Sequence, residues 1–170
     1  LTRHALLQLS RHERDPRNWR PHILVFAGDT AKRIGLVRLA NAFNEDRGIV
    51  TACRLVIGRL EDRVDDLAQL KQEMAADLAE EGIVAFSEVD VADDFESGVV
   101  NVAQANGIAG LHSNTVMFGW PEKSERLERI LRIMRPLSLL GKNTVIARPR
   151  WTGELSRRPR IDIWWRGKQY

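Results

Sequence analysis

The residues best placed to do chemistry in this chain stand in short polar loops that follow apolar runs. Ile23-Leu24-Val25-Phe26-Ala27 is such a run, and Gly28-Asp29-Thr30 behind it can open a helix with Lys32 one turn in. An ammonium beside a helix N-terminus has the chemistry of a phosphate contact. The same spacing suits a helix cap followed by a solvated lysine, which is the commoner outcome. Gly107-Ile108-Ala109-Gly110 comes nearest to a glycine-rich phosphate loop. It precedes a strand instead of following one, and no Walker A sequence occurs. The histidines, at 4, 12, 22 and 112, lack metal-pair spacing with a further ligand, so no zinc or other metal site is expected. Cys53 lies in an apolar run and reads as core packing, and no nucleophile elbow accompanies it. Thirteen carboxylates between Glu61 and Glu96 meet only Arg63 and Lys71. They lack calcium-loop spacing and a central glycine, so they read as a solvated helix face. The chain is not expected to be an enzyme.

Such loops need a scaffold. Apolar runs predict strands at 23–27, 49–57, 83–91, 115–118, 144–147 and 161–165. Between them, three-and-four spacing predicts helices: one capped by Asp29 or Thr30, one over 62–81, one capped by Asp93 or Asp94, and one over 122–140. In the last, Leu127, Ile130, Leu131, Met134 and Leu137 form the expected buried stripe, with Arg126, Arg129, Arg132 and Arg135 outside. Residues 107–114 read as a loop, and Leu1 to Arg14 as a short amphipathic helix broken at Asp15-Pro16. Strand and helix alternating this regularly mean parallel βαβ units. The expected fold is a three-layer α/β domain, a mostly parallel sheet with helices on both faces. Sheets of this kind bind ligands at the carboxyl ends of their strands, here the loops at 28–32, 58–61, 90–94, 107–114 and 119–123.

With 170 residues and 44% hydrophobic content the chain can bury a core, yet no apolar run approaches the roughly 18 residues of a membrane span. Its net charge of +3 is uneven: +3 over residues 1–22, −6 over 23–141 and +6 over 142–170. A nucleic-acid module would line up its basic residues on one element, so no nucleic-acid partner is expected. Basic ends suit anionic headgroups or an acidic partner, or are simply solvated arginines. Trp19, Trp120, Trp151, Trp164 and Trp165 fall at element ends or in connections, where amphipathic rings suit junctions or interfaces. With Leu1 in first place, the chain reads as a piece of something longer.

Four segments carry a family resemblance. Asn18-Trp19-Arg20-Pro21-His22-Ile23-Leu24-Val25 resembles the start of the cytosolic C-terminal domain of cation-chloride cotransporters, carriers of the amino acid-polyamine-cation superfamily. The segment from Gly107 to Pro121 resembles that domain's central signature, Ile161-Asp-Ile-Trp-Trp165 its later strand, and Arg3-His4-Ala5-Leu6-Leu7 the helix after the last membrane span. The resemblance implies a linker helix at 1–17 and a universal-stress-protein-like α/β domain at 18–170, truncated at its C-terminal end. It implies a regulatory and dimerising role on the cytoplasmic side of the membrane. The partners would be the transmembrane domain of the same polypeptide, a second copy, and headgroups at the basic ends. Some members bind adenine nucleotide. Carried over, the candidate ATP or ADP site is Gly28, Asp29 and Lys32, then His112 and Asn114, then Gly119 and Trp120. The phosphate-cradling glycine series of nucleotide-binding stress proteins is absent after Phe118, where Gly119-Trp120-Pro121 stands. A free-standing stress-protein-like nucleotide-binding module is the alternative.

Overall fold

The computed structural model describes residues 19–149 apart from 46, 109 and 110; the predicted helix at 1–17 and strand at 161–165 lie outside the described residues. The elements alternate as the apolar pattern requires. Strand β1 (Ile23–Phe26) leads to α1 (Ile34–Asn44), β2 (Val50–Ile57) to α2 (Val64–Glu80), and β3 (Phe86–Ala92) to α3 (Phe95–Ala105). A two-residue hairpin, β4 (Gly107–Ile108) and β5 (Leu111–His112), precedes β6 (Thr115–Gly119), α4 (Ser124–Leu139) and β7 (Asn143–Ala147).

The main sheet has five strands in the order β3-β2-β1-β6-β7, all parallel. Side chains alternate across a strand, so β1 feeds two cores. Ile23, Val25 and Ala27 pack with Leu36, Val37 and Ala40 of α1 and Met74 and Leu78 of α2. Leu24 and Phe26 pack with Val99 and Ala103 of α3 and Ile130, Ile133 and Leu137 of α4. The fold is therefore a three-layer α/β sandwich. β1 is buried at every position because it is central and covered on both sides. β3 is an edge strand and alternates Glu88 and Asp90 with Val89 and Val91.

Helix ends follow local chemistry. Asp94 caps α3, its Oδ1 accepting the Ser97 N–H at 3.0 Å. α2 and α4 both stop at a left-handed glycine, Gly82 (φ 63°) and Gly141 (φ 69°). After each, the next N–H folds back: Ile83 to the Leu78 carbonyl and Lys142 to the Leu137 carbonyl, both at 2.9 Å.

Several expectations differ from the structure, among them the third strand, which begins at Phe86 and not at Ile83. Residues 107–114 hold the β4-β5 hairpin, too short for an apolar period to show. The helices after β1 and β2 open with 3-10 turns, Ala31–Arg33 and Leu60–Asp62, before becoming α-helical. In α4 the buried residues are Ile130, Ile133 and Leu137, while Leu131 and Met134 are exposed. That helix carries two adjoining apolar stripes of equal spacing. The bidentate pair from Arg129 to Glu96 of α3, at 2.9 and 3.0 Å, goes with the rotation that turns one of them to the sheet.

Candidate functional site

At the centre of the sheet the chain leaves β1 for α1 on one face and β6 for α4 on the other. β1 and β6 are neighbours, with Phe26 opposite Phe118, so the two connections diverge and open a crevice at their carboxyl ends. Gly28 (φ 66°) turns the chain out of β1, a conformation that disfavours a side chain. Asp29 Oδ1 then accepts the Lys32 N–H at 3.2 Å, closing the 3-10 turn. Its other oxygen meets Lys32 Nζ at 2.9 Å. These bonds hold the Asp29 carboxyl below its usual range. Lys32 thus reaches the crevice already paired and exposed.

Two clefts share this end. The smaller, about 400 Å³, lies between the strand ends and α3 and α4. Phe26 and Phe118 stack at 5.4 Å in its wall, Phe95 tilts against Phe118, and the Arg129 guanidinium stands 5.3 Å above the Phe95 ring. Arg129 is thus tied between Glu96 and Phe95 instead of standing on the solvated outer face. The larger cleft, about 690 Å³, runs across the ends of β6 and β7 beside α1. Lys32, Arg33, Lys123, Arg126 and Arg148 line it, and Glu122 is the one acid among the described lining residues. Trp120 forms part of the wall, half exposed, its backbone N–H donating to the Ala147 carbonyl at 2.7 Å. Clustered cations at a helix-rich strand end suit an anion.

Of the residues expected in one site, the structure brings Gly28, Asp29, Lys32, Gly119 and Trp120 to these clefts and leaves His112 and Asn114 at the opposite edge. The five residues of β6 separate the two groups, about 16 Å of strand. Asn114 is a clamp there. Its Nδ2 donates to the Arg20 carbonyl at 2.6 Å, its Oδ1 accepts the His22 N–H at 3.1 Å, and its carbonyl accepts the Asn143 N–H at 2.8 Å. It therefore ties the starts of β1, β6 and β7. His112 is exposed in the hairpin, its Nδ1 3.4 Å from the Asn106 carbonyl. Both positions sit before β6, and only the strand's direction tells that they face the amino edge.

Sequence reasoning named the loop at 119–123, which holds Lys123, and missed Arg33, Arg126 and Arg148. Arg126 was readable: a residue in the first turn of a helix that follows a parallel strand stands at the carboxyl edge. Cys53 stands among the residues that line the smaller cleft. Cys53 is buried, and desolvation, with Asp90 and Glu88 adding to it, raises its thiol well above the ordinary range. Among the described residues no three His, Cys, Asp or Glu side chains gather as metal ligands.

Comparison with known proteins places the chain. The family model for solute carrier family 12 matches residues 33–129, more than half of the chain, which therefore belongs to that family. Solute carrier family 12 member 1 of Mus musculus is 28% identical over 114 residues, 67% of this chain and 10% of the relative. The Homo sapiens protein matches to the same extent, and that of Oryctolagus cuniculus is 28% identical over 117 residues, 69% of this chain and 11% of the relative. The chain spans about a tenth of the length of these carriers. In structure it is similar to a universal stress protein from Archaeoglobus fulgidus, with a TM-score of 0.48 and 12% identity over 75% of this chain and 93% of the other.

Proposed function

We propose that this chain is the cytosolic regulatory and dimerisation domain of an electroneutral cation-chloride cotransporter, without transport chemistry of its own. The observation that carries the reading is where the family match falls. Residues 33–129 run from the start of α1 into α4, and among the described residues no helix is long and apolar enough to cross a membrane. The matched part of the carrier is thus an α/β sandwich. Its partners are the transmembrane domain of the same polypeptide and a second copy, and its basic ends lie toward the headgroups of the cytoplasmic leaflet. The full reading frame tests this: apolar spans of roughly 20 residues are expected before Leu1, and their absence sinks the reading. In the intact carrier, cross-linking is expected to capture dimers, and recovery of monomer alone counts against the dimer.

One observation favours a second role, adenine-nucleotide binding. Five cations and an indole line the larger cleft at the strand ends, a set that fits a phosphate chain beside a base. Against a backbone phosphate cradle, a Cβ at Gly119 would meet Arg33 and Leu36 only at an ordinary 3.6 Å, so no close approach demands the glycine. Side chains would hold the anion. Calorimetry with ATP is expected to show binding that weakens on Lys32→Ala or Arg126→Ala. No heat at millimolar ATP excludes the nucleotide and leaves the regulatory reading standing.

A further inference from the structure

The two edges of the main sheet are finished differently. At β3 the edge carries Glu88 and Asp90, charges of the kind that keep a strand from recruiting another. At the other edge β7 is Asn143-Thr144-Val145-Ile146-Ala147, without a charge, and among the described residues it pairs only with β6. The Asn143 N–H donates to Asn114, and the Ala147 carbonyl accepts from Trp120, so the odd-numbered residues face β6. Alternation then turns the N–H and C=O of Thr144 and Ile146 outward. Both residues are only partly exposed, and backbone groups so placed need partners.

An apolar shelf lies above that edge. Arg129 marks the flank of α4 that faces α3. At 3.6 residues per turn, Leu127, Leu131 and Met134 stand on the flank opposite it. α3 and α4 cover the same face of the sheet, so this flank overhangs the free side of β7. Leu131 is 51% and Met134 37% exposed. Backbone without a strand partner among the described residues, beneath an apolar ledge, fits a strand with one apolar face.

The chain carries such a segment. Ile161-Asp162-Ile163-Trp164-Trp165 is as long as β7 and puts Ile161, Ile163 and Trp165 on one side. The connection, residues 148–160, can span roughly 40 Å when extended, and β7 is only about 16 Å long, so the segment reaches the edge in either direction. We propose that residues 161–165 add to the free edge of β7 as a sixth strand of the main sheet and lay their apolar side against Leu127, Leu131 and Met134.

Hydrogen exchange by NMR on the 170-residue chain tests this at the amides of Thr144 and Ile146. Both are expected to exchange at least about tenfold more slowly than unprotected amides. Ile163→Pro, which removes a donor from the added strand, is expected to abolish that protection while Leu24 and Val116 keep theirs. Leu131→Asp alters only an exposed ledge residue and is expected to speed the same two amides. Fast exchange in the parent chain overturns the proposal, as does protection that survives both substitutions. Protection lost on dilution would assign the edge to a second copy and overturn it equally.

Discussion

Replacing Gly98 by alanine is expected to destabilise the domain even though alanine is the better helix former. Gly98 is buried in the first turns of α3, where that helix lies on β2 and β3. A Cβ there would stand 2.6 Å from the Ala92 Cβ and 2.9 Å from the Leu55 Cδ2. Two effects oppose each other. The helix gains about 1 kcal/mol on losing a glycine. Overpacking costs about 1–3 kcal/mol. Leu55 can rotate its methyls away, but the Ala92 Cβ is fixed to the backbone of β3, so α3 must lift. The overpacking therefore wins, for a net loss of about 1 kcal/mol and a fall in Tm of roughly 2–6 °C. Because Phe95 and Arg129 wall the smaller cleft, the same shift opens it. Gly35 is the control, also helical and at the wall of the larger cleft, where a Cβ would meet Pro149 at an ordinary 3.6 Å. Gly35→Ala should raise Tm by a degree or more, on the order of half a kcal/mol. Calorimetric melts of the two variants beside the parent decide the matter. A Gly98→Ala protein as stable as its parent would refute the close seat of α3.

Three further outcomes follow from the same geometry. The Cys53 thiol, buried and pushed up by desolvation, should resist a thiol reagent at pH 8 in the folded protein and react fully in denaturant; rapid labelling of native protein contradicts this. Leu137→Ala empties a fully buried position and should cost about 2–5 kcal/mol, whereas Leu139→Ala, two residues on and 82% exposed, should be nearly silent in denaturant melts. Equal costs would mean that α4 is rotated from its described seat. Asp29, Asp94 and Glu96 have carboxyls held low by bonds from Lys32, Ser97 and Arg129 respectively. Their folded values lie below the unfolded ones, so their stabilisation is complete above about pH 5 and lost as pH falls below about 4. Tm should follow that profile, with a shallower acid limb in Glu96→Gln; an unchanged limb removes the pair from the account.

Much of this was legible because the chemistry is local. Alternating apolar runs and helix stripes, punctuated by Gly82, Asp94 and Gly141, specify strands, helices and their ends through backbone hydrogen bonding alone. The parallel three-layer arrangement follows, since a strand-helix repeat has few other ways to bury its faces. The family motifs in the chain belong to the same level, and the segment from Gly107 to Pro121 lies inside the match to solute carrier family 12.

Tertiary structure decided what depends on orientation. His112 and Asn114 precede β6, whereas the other expected site residues follow β1 or stand at the end of β6, so the parallel sheet sends these two to the amino edge. The two stripes of α4 are equal in one dimension, and only the sheet beneath and Glu96 beside it choose Ile130, Ile133 and Leu137. The basic cleft likewise collects Arg33, the pair Lys123 and Arg126, and Arg148 from three separate stretches of chain. Local pattern sets which face each element buries by its period. The angle and direction at which that face meets its neighbours come from long-range packing, which no short window of sequence contains.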